Sequence, residues 1–164
     1  MKVLFIQTGG TIDKDYPKTT KGYAFEITDP AVERILEKMN PAFSWRVVPL
    51  LRKDSMEITE NDRQMIFDEC KNAIEDKIVI THGTDTMIQT AQFLKALEKK
   101  TIIITGAMRP ERFSNSDASF NIGTALGGLN ALQNGVYIAM NGSIYPWNEC
   151  SRDLKTGQFV SSRA

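Results

Sequence analysis

Five short apolar runs punctuate the chain: Val3–Ile6, Trp45–Leu51, Ile78–Ile80, Thr101–Thr105 and Val136–Met140. They are rich in β-branched residues and largely uninterrupted by polar positions, the pattern of strands buried on both faces. Pro49 argues that the second run lies at an edge or ends early, since proline has no N–H to offer a neighbouring strand. Between the runs the period becomes helical. Asp29 as N-cap, Pro30 at the first helical position and Glu33 near a capping-box position predict a helix start. Val32, Ile35, Leu36 and Met39 follow as its apolar stripe. Thr59 caps a second helix whose expected inner face is Met65, Ile66, Cys70, Ala73 and Ile74. A third follows residues 82–85, with Met87, Ala91, Leu94 and Leu97 in register. A fourth, about residues 116–132, is apolar nearly all round and carries Gly123, Gly127 and Gly128. It is expected to be buried against the sheet.

This alternation of strand and helix predicts an α/β domain: three layers, a mainly parallel sheet and helices on both faces, flavodoxin- or Rossmann-like. The 164 residues suffice for one domain, 1–164. Residues 13–25 read as a polar loop or hairpin, and 141–164 as a C-terminal arm or tail. No apolar stretch approaches the ~20 residues that span a bilayer.

Charge is balanced, 20 basic residues against 20 acidic. That gives no general attraction to nucleic acid or to an anionic membrane, so neither is expected as a direct partner. Cys70 and Cys150 make no disulfide framework. With a strand-like N-terminus in place of a secretory leader, they suggest reduced thiols in a cytoplasm. The one histidine, His82, excludes histidine-pair chemistry within a single chain. Proton transfers would fall to other groups.

In open α/β sheets ligands bind beyond the carboxyl ends of the strands. The first run is followed by Thr8–Gly9–Gly10–Thr11–Ile12, a tight turn flanked by hydroxyls. The third is followed by Thr81–His82–Gly83–Thr84–Asp85–Thr86, dense in hydroxyls with one carboxylate at a helix start. Lys53–Asp54–Ser55–Met56 follows the second run and Gly106–Ala107–Met108–Arg109–Pro110 the fourth. Each stretch alone suits an ordinary turn or helix cap. Together they leave four strand ends bearing small or hydroxyl residues, as a site for a small polar ligand requires. The dinucleotide G-x-G-x-x-G signature and the P-loop lysine motif are both absent.

The stretches TGGTI (8–12), THGTDTM (81–87) and TGAMRP (105–110) resemble, in order and separation, the signatures of the bacterial-type L-asparaginase/glutaminase family. The resemblance covers essentially the whole chain but only the family's N-terminal domain, as in its short single-domain members. It implies hydrolysis of a side-chain amide, of L-asparagine in preference to L-glutamine, without metal or cofactor. By resemblance Thr11 is the nucleophile and a tyrosine on the following loop activates it; Tyr16 is preferred, and Tyr23 is the alternative. Thr84, Asp85 and a lysine complete the catalytic group. A gapped comparison selects Lys155 for that lysine, whereas a gapless one puts Arg152 there, and arginine cannot act as a base.

Gly10, Asp54, Ser55, Gly83 and Ala107 are the expected substrate-binding residues. Ser55 would take the carboxylate, Asp85 the ammonium, and Ala107 would line the pocket near the leaving amide. Met56 replaces a glutamine common in the family, which removes a polar contact. His82 is expected to be structural. A homo-oligomer is expected, because a chain lacking the second domain would leave part of the site open. Two other roles fit the same residues: a subunit that feeds ammonia to a partner, and an amino-acid-binding module with weak or no turnover.

Overall fold

A computed structural model describes residues 1–16 and 25–163. In chain order the elements are β1 (Lys2–Gly9), a 3-10 turn over Thr11–Asp13, β2 (Lys14–Asp15), β3 (Glu26–Ile27), α1 (Ala31–Met39), β4 (Ser44–Lys53), α2 (Glu60–Asn72), β5 (Lys77–Thr81), α3 (Met87–Phe93), β6 (Thr101–Thr105), α4 (Ala118–Ala131), β7 (Gly135–Met140), β8 (Ser143–Pro146), β9 (Cys150–Arg152) and β10 (Phe159–Ser161). All five apolar runs are strands of one sheet, in the order β4-β1-β5-β6-β7-β8. β4 through β7 run parallel, and β8 returns antiparallel on β7. Pro49 does lie on an edge strand.

Alternation along each strand builds two cores. On one face, Leu4, Ile6, Ile78, Ile80, Ile102 and Ile104 meet Ile66 and Cys70 of α2 and Met87 and Ala91 of α3. On the other, Val3, Phe5, Val79 and Ile103 meet Val32, Ile35 and Leu36 of α1 and Ile122, Ala125 and Leu129 of α4. The three-layer α/β architecture is therefore present, with α2 and α3 on one side and α1 and α4 on the other.

The connection from β1 leads outward to β4, and that from β5 leads the opposite way to β6. The order of the sheet thus reverses between β1 and β5. In open α/β sheets the crevice at such a reversal is where ligands bind. The loops carrying Thr11 and Thr84 flank it.

Several local expectations need correction. Pro30, not Asp29, is the N-cap residue of α1, and it offers no side-chain cap. The Ala31 N–H instead donates to Oδ1 of Asp13, 2.8 Å away, while Asp29 pairs with Arg52. Met39 is exposed at the end of α1. In α2, Ile66 and Cys70 are buried, but Met65 is exposed and Ile74 is 83% exposed. The helix ends at Asn72, so Ala73 and Ile74 lie beyond it. The Thr59–Asp62 capping box starts the helix as expected, and Lys53 holds Asp62 at 2.8 Å, turning the narrow Ile66–Cys70 stripe inward.

α4 is not buried all round. Its inner face is packed, yet Phe120 is 63% exposed, and a Cβ at Gly123 or Gly127 would meet open space. Of the three glycines only Gly128 faces the sheet, against Ile103 and Ile144. The helix begins at Ala118, where Ser116 Oγ accepts the Ala118 N–H.

The C-terminal arm is an extension of the fold. Asn141 and Gly142, both at positive φ, turn β7 into β8, as an Asn-Gly hairpin turn does. β9 and β10 form a separate antiparallel hairpin anchored by Cys150 and Phe159 in the α2/α3-side core. β2 and β3 pair antiparallel, Lys14 opposite Ile27 and Asp15 opposite Glu26. Tyr23 lies outside the described residues. Among the described residues no helix is long and apolar enough to cross a membrane.

Candidate active site

The crevice is built by strand-end loops that touch through their smallest residues. Gly10 has φ +85, a conformation that side chains with a Cβ rarely adopt. A Cβ there would fall inside the van der Waals shell of the Gly83 backbone. A Cβ on Gly83 would lie 2.7 Å from both Cβ and Oγ of Ser55. The Gly10 N–H donates to the Lys53 carbonyl at 3.0 Å. The ends of β1, β4 and β5 are therefore pressed together, and Thr11 and Thr84 each follow directly on that contact. Both threonines are half-buried.

Ser55 is buried and ties its loop to the next. Its Oγ accepts the Asp85 N–H at 3.3 Å, and its carbonyl accepts the Thr86 hydroxyl at 2.7 Å. Asp54 caps the short turn after β4. The Met56 N–H, aided by Lys14 at 3.3 Å, holds its carboxyl below the usual range. Ala107 is buried beneath the loop after β6. Asp117 accepts the N–H groups of Met108 and Arg109 there, and Asn121 donates to the Gly106 carbonyl at 3.0 Å. Sequence reasoning did not single out Asp117 and Asn121. Their signal, a carboxylate just ahead of the helix and an amide four residues later on the same side, was legible.

His82 sits inside the motif, fully buried. Nδ1 is 2.8 Å from the Gly83 carbonyl and Nε2 is 2.9 Å from Thr90 Oγ1. The carbonyl can only accept, so this network assigns the ring proton to Nδ1; Nε2 then accepts the Thr90 hydroxyl. Burial pushes the imidazole down to about 4, so it stays neutral near pH 7. It pins the loop after β5 to α3, which is the structural role expected of it.

The structure places the two candidates for the lysine position differently. Arg152 Nη1 donates to Asp85 Oδ1 at 2.6 Å. Its Nε donates to the Gly157 carbonyl at 3.2 Å, and its guanidinium lies 5.9 Å from the Phe159 ring centre. Lys155 is exposed in the turn between β9 and β10, where its backbone N–H donates to Asp153 Oδ1 at 2.7 Å. Its side chain has no hydrogen-bond or ion-pair partner among the described residues. Arg152, the last residue of β9, pairs with Phe159 of β10, and its side chain reaches Asp85 from there. Tyr16 is 71% exposed. Its ring stacks on Phe25 at 4.9 Å, and Phe25 in turn packs on Phe113.

The Gly10–Gly83 contact brings the loops that carry Thr11, Thr84 and Asp85 together at one strand-end crevice. Among the described residues no group of three His, Cys, Asp or Glu side chains is placed to hold a metal. A separate hollow lined by Arg63, Gln89, Gln92 and Phe93 lies between α2 and α3, on the helical layer.

The family model described as "Asparaginase, N-terminal" matches residues 2–158. The glutaminase-asparaginase of Acinetobacter glutaminasificans is 29% identical over 97% of this chain and 52% of its own. One of the subunits of the glutamyl-tRNA(Gln) amidotransferase of Methanococcus vannielii is 33% identical over 87% of this chain and 34% of its own. The thermostable L-asparaginase of Thermococcus kodakarensis superposes with a TM-score of 0.82 at 30% identity, over 98% of this chain and 51% of that one. The chain spans about half the length of the first of these curated relatives, and a third of the second.

Proposed function

The chain belongs to the asparaginase family, and from that premise we propose that it hydrolyses the side-chain amide of L-asparagine to L-aspartate and ammonia. The observation that carries this reading is the Gly10–Gly83–Ser55 contact, which holds the Thr11 and Thr84 loops together at the sheet's reversal point. Thr11 Oγ1 attacks the amide carbon, and its proton passes to an activating group, for which Tyr16 is the candidate. Backbone N–H groups of the crevice hold the resulting oxyanion. The C–N bond breaks, ammonia leaves with a proton, and water hydrolyses the acyl-threonine. Thr84, with the Asp85–Arg152 pair beside it, serves the proton movements of the second half. Ser55 and the Gly83–Thr84 backbone take the substrate carboxylate, Asp85 takes its ammonium, and Ala107 lines the leaving-group side.

Since Arg152 contacts Asp85, arginine here orients the carboxylate electrostatically and supplies no base. Lys155→Met is expected to leave kcat/KM within about twofold, whereas Arg152→Met lowers it roughly tenfold. The reverse ranking in a steady-state ammonia assay would restore the lysine to the site.

Ammonia release from L-asparagine, L-glutamine and D-asparagine, measured on the purified protein, tests the substrate class. Release from the first and little from the others is expected. The exposed Asp85 leaves the crevice open on one side, and we assign its closure to a second copy of the chain. A dimer or larger species by light scattering is expected, and a monomer would remove that part of the proposal. The free, buried Cys70 and Cys150 support a reducing, cytoplasmic setting. A second reading, an ammonia-supplying subunit, is favoured by the similarity to an amidotransferase component. The balanced charge means that its partner would supply the RNA contacts.

A further inference from the structure

Asp13 is fully buried, two residues beyond Thr11 in the same 3-10 turn. Its carbonyl accepts from the N–H of Thr28 at 2.9 Å and from the Thr28 hydroxyl at 3.1 Å. Its Oδ1 accepts the Ala31 N–H that opens α1. One residue thus ties the Thr11 turn to two later segments. Two acceptor atoms remain unsatisfied in the same buried cluster: Asp13 Oδ2 and Gln7 Oε1. Gln7 and Asp13 both bond Thr28, which sets the Gln7 amide beside Asp13. The amide's orientation is set by Nε2, which donates to the Thr28 carbonyl at 2.8 Å. Flipping the amide would set two acceptors against each other. Buried acceptors without donors are costly, and a single proton supplies the missing donor.

We propose that Asp13 is a neutral carboxylic acid whose Oδ2–H donates to Gln7 Oε1, and that this proton positions Thr11. Arg34, whose Nη2 is buried without a hydrogen-bond partner, and Arg52 favour the carboxylate less than burial disfavours it. Arg34 of α1 is engaged by Glu111 at 2.8 Å, which also holds Lys38. Arg52 of β4 is engaged by Asp29. The neutral Gln7 of β1 and Thr28, ahead of α1, share the cluster with Asp13. Burial pushes the Asp13 carboxyl up to about 7 against these weaker opposing influences. Asp13 is thus a positioning residue, acting through the turn. Loss of its proton leaves a buried charge facing Gln7 Oε1 and loosens the turn that carries Thr11.

The folded carboxyl binds its proton more tightly than the unfolded one, whose value is near 3.8. Its stabilisation is full below about 4 and is lost as pH rises through about 7. His82 acts oppositely over nearly the same range, because its folded value is depressed. The informative quantity is therefore the difference between variants. Asp13→Asn keeps the acceptor for Ala31 and gives a permanent donor to Gln7. Its melting temperature relative to wild type is expected to climb by roughly 3–5 °C per pH unit between pH 4 and 7. In wild type, the carbon-13 resonance of the Asp13 carboxyl and the Thr11 amide resonance should shift together with a midpoint near 7. In Asp13→Asn the Thr11 amide should not move. A carboxyl resonance already ionised at pH 5, or a constant difference in melting temperature, overturns the protonation. A Thr11 amide that titrates identically in both proteins overturns the coupling. None of these readings requires turnover, so they stand apart from the fate of the asparaginase proposal, on which only the name of Thr11's role depends.

Discussion

Thr11→Val lowers ammonia release from L-asparagine by at least about 10³-fold, if the hydroxyl of Thr11 is the nucleophile. Valine keeps the β-branched shape and removes only the oxygen. Thr11 Oγ1 has no hydrogen-bond partner among the described residues, so the fold loses little. The melting temperature should stay within about 2 °C of wild type, as is usual away from packed or networked positions. The two readouts together separate chemistry from unfolding. Release that survives the substitution would shift the nucleophile elsewhere, with Thr84 the first alternative, since its hydroxyl is also unpaired among the described residues and half-buried. Binding of L-aspartate that persists without any turnover in wild type would favour the binding module.

The sheet was legible because its central strands β1, β5 and β6 carry short continuous apolar runs rich in β-branched residues, and such runs have few other places to go than the middle of a parallel sheet. The glycine and threonine loops were legible for the same reason: they interrupt those runs at the carboxyl ends, where the topology leaves a crevice. The misreadings lie where the outcome depended on a distant partner. Asp29 looked like a cap in its own neighbourhood, but the Ala31 N–H is taken by Asp13 from another part of the chain. Ile74 looked like an inner position until the helix ended two residues before it. The Arg152–Asp85 contact joins residues 67 positions apart, which local spacing does not reveal. The apolar composition of α4 said nothing about which of its faces would be covered.

The packing at Gly10 makes a second prediction, of opposite sign to its own control. At Gly10 (φ 85, ψ −172) an alanine adopts a conformation open essentially to glycine alone, a strain of about 1–3 kcal/mol. Its methyl also collides with the Gly83 backbone, which cannot rotate away as a flexible side chain would. Overpacking of that kind adds a further ~1–3 kcal/mol. Gly10→Ala should therefore lose about 2–6 kcal/mol and roughly 5–20 °C in melting temperature. Gly123→Ala in α4 is the matched control, because its Cβ meets open space and an interior helix position favours alanine over glycine by about 0.5–1 kcal/mol. It should gain a degree or more by calorimetry and leave ammonia release unchanged. The decisive comparison is made well below both transitions, where each variant is folded. Gly10→Ala should still lose turnover there, because relieving the clash requires the Thr11 and Thr84 loops to separate. Full activity in folded Gly10→Ala would mean that the two loops need not touch for catalysis, and the contact that carries the functional reading would then be a feature of packing alone.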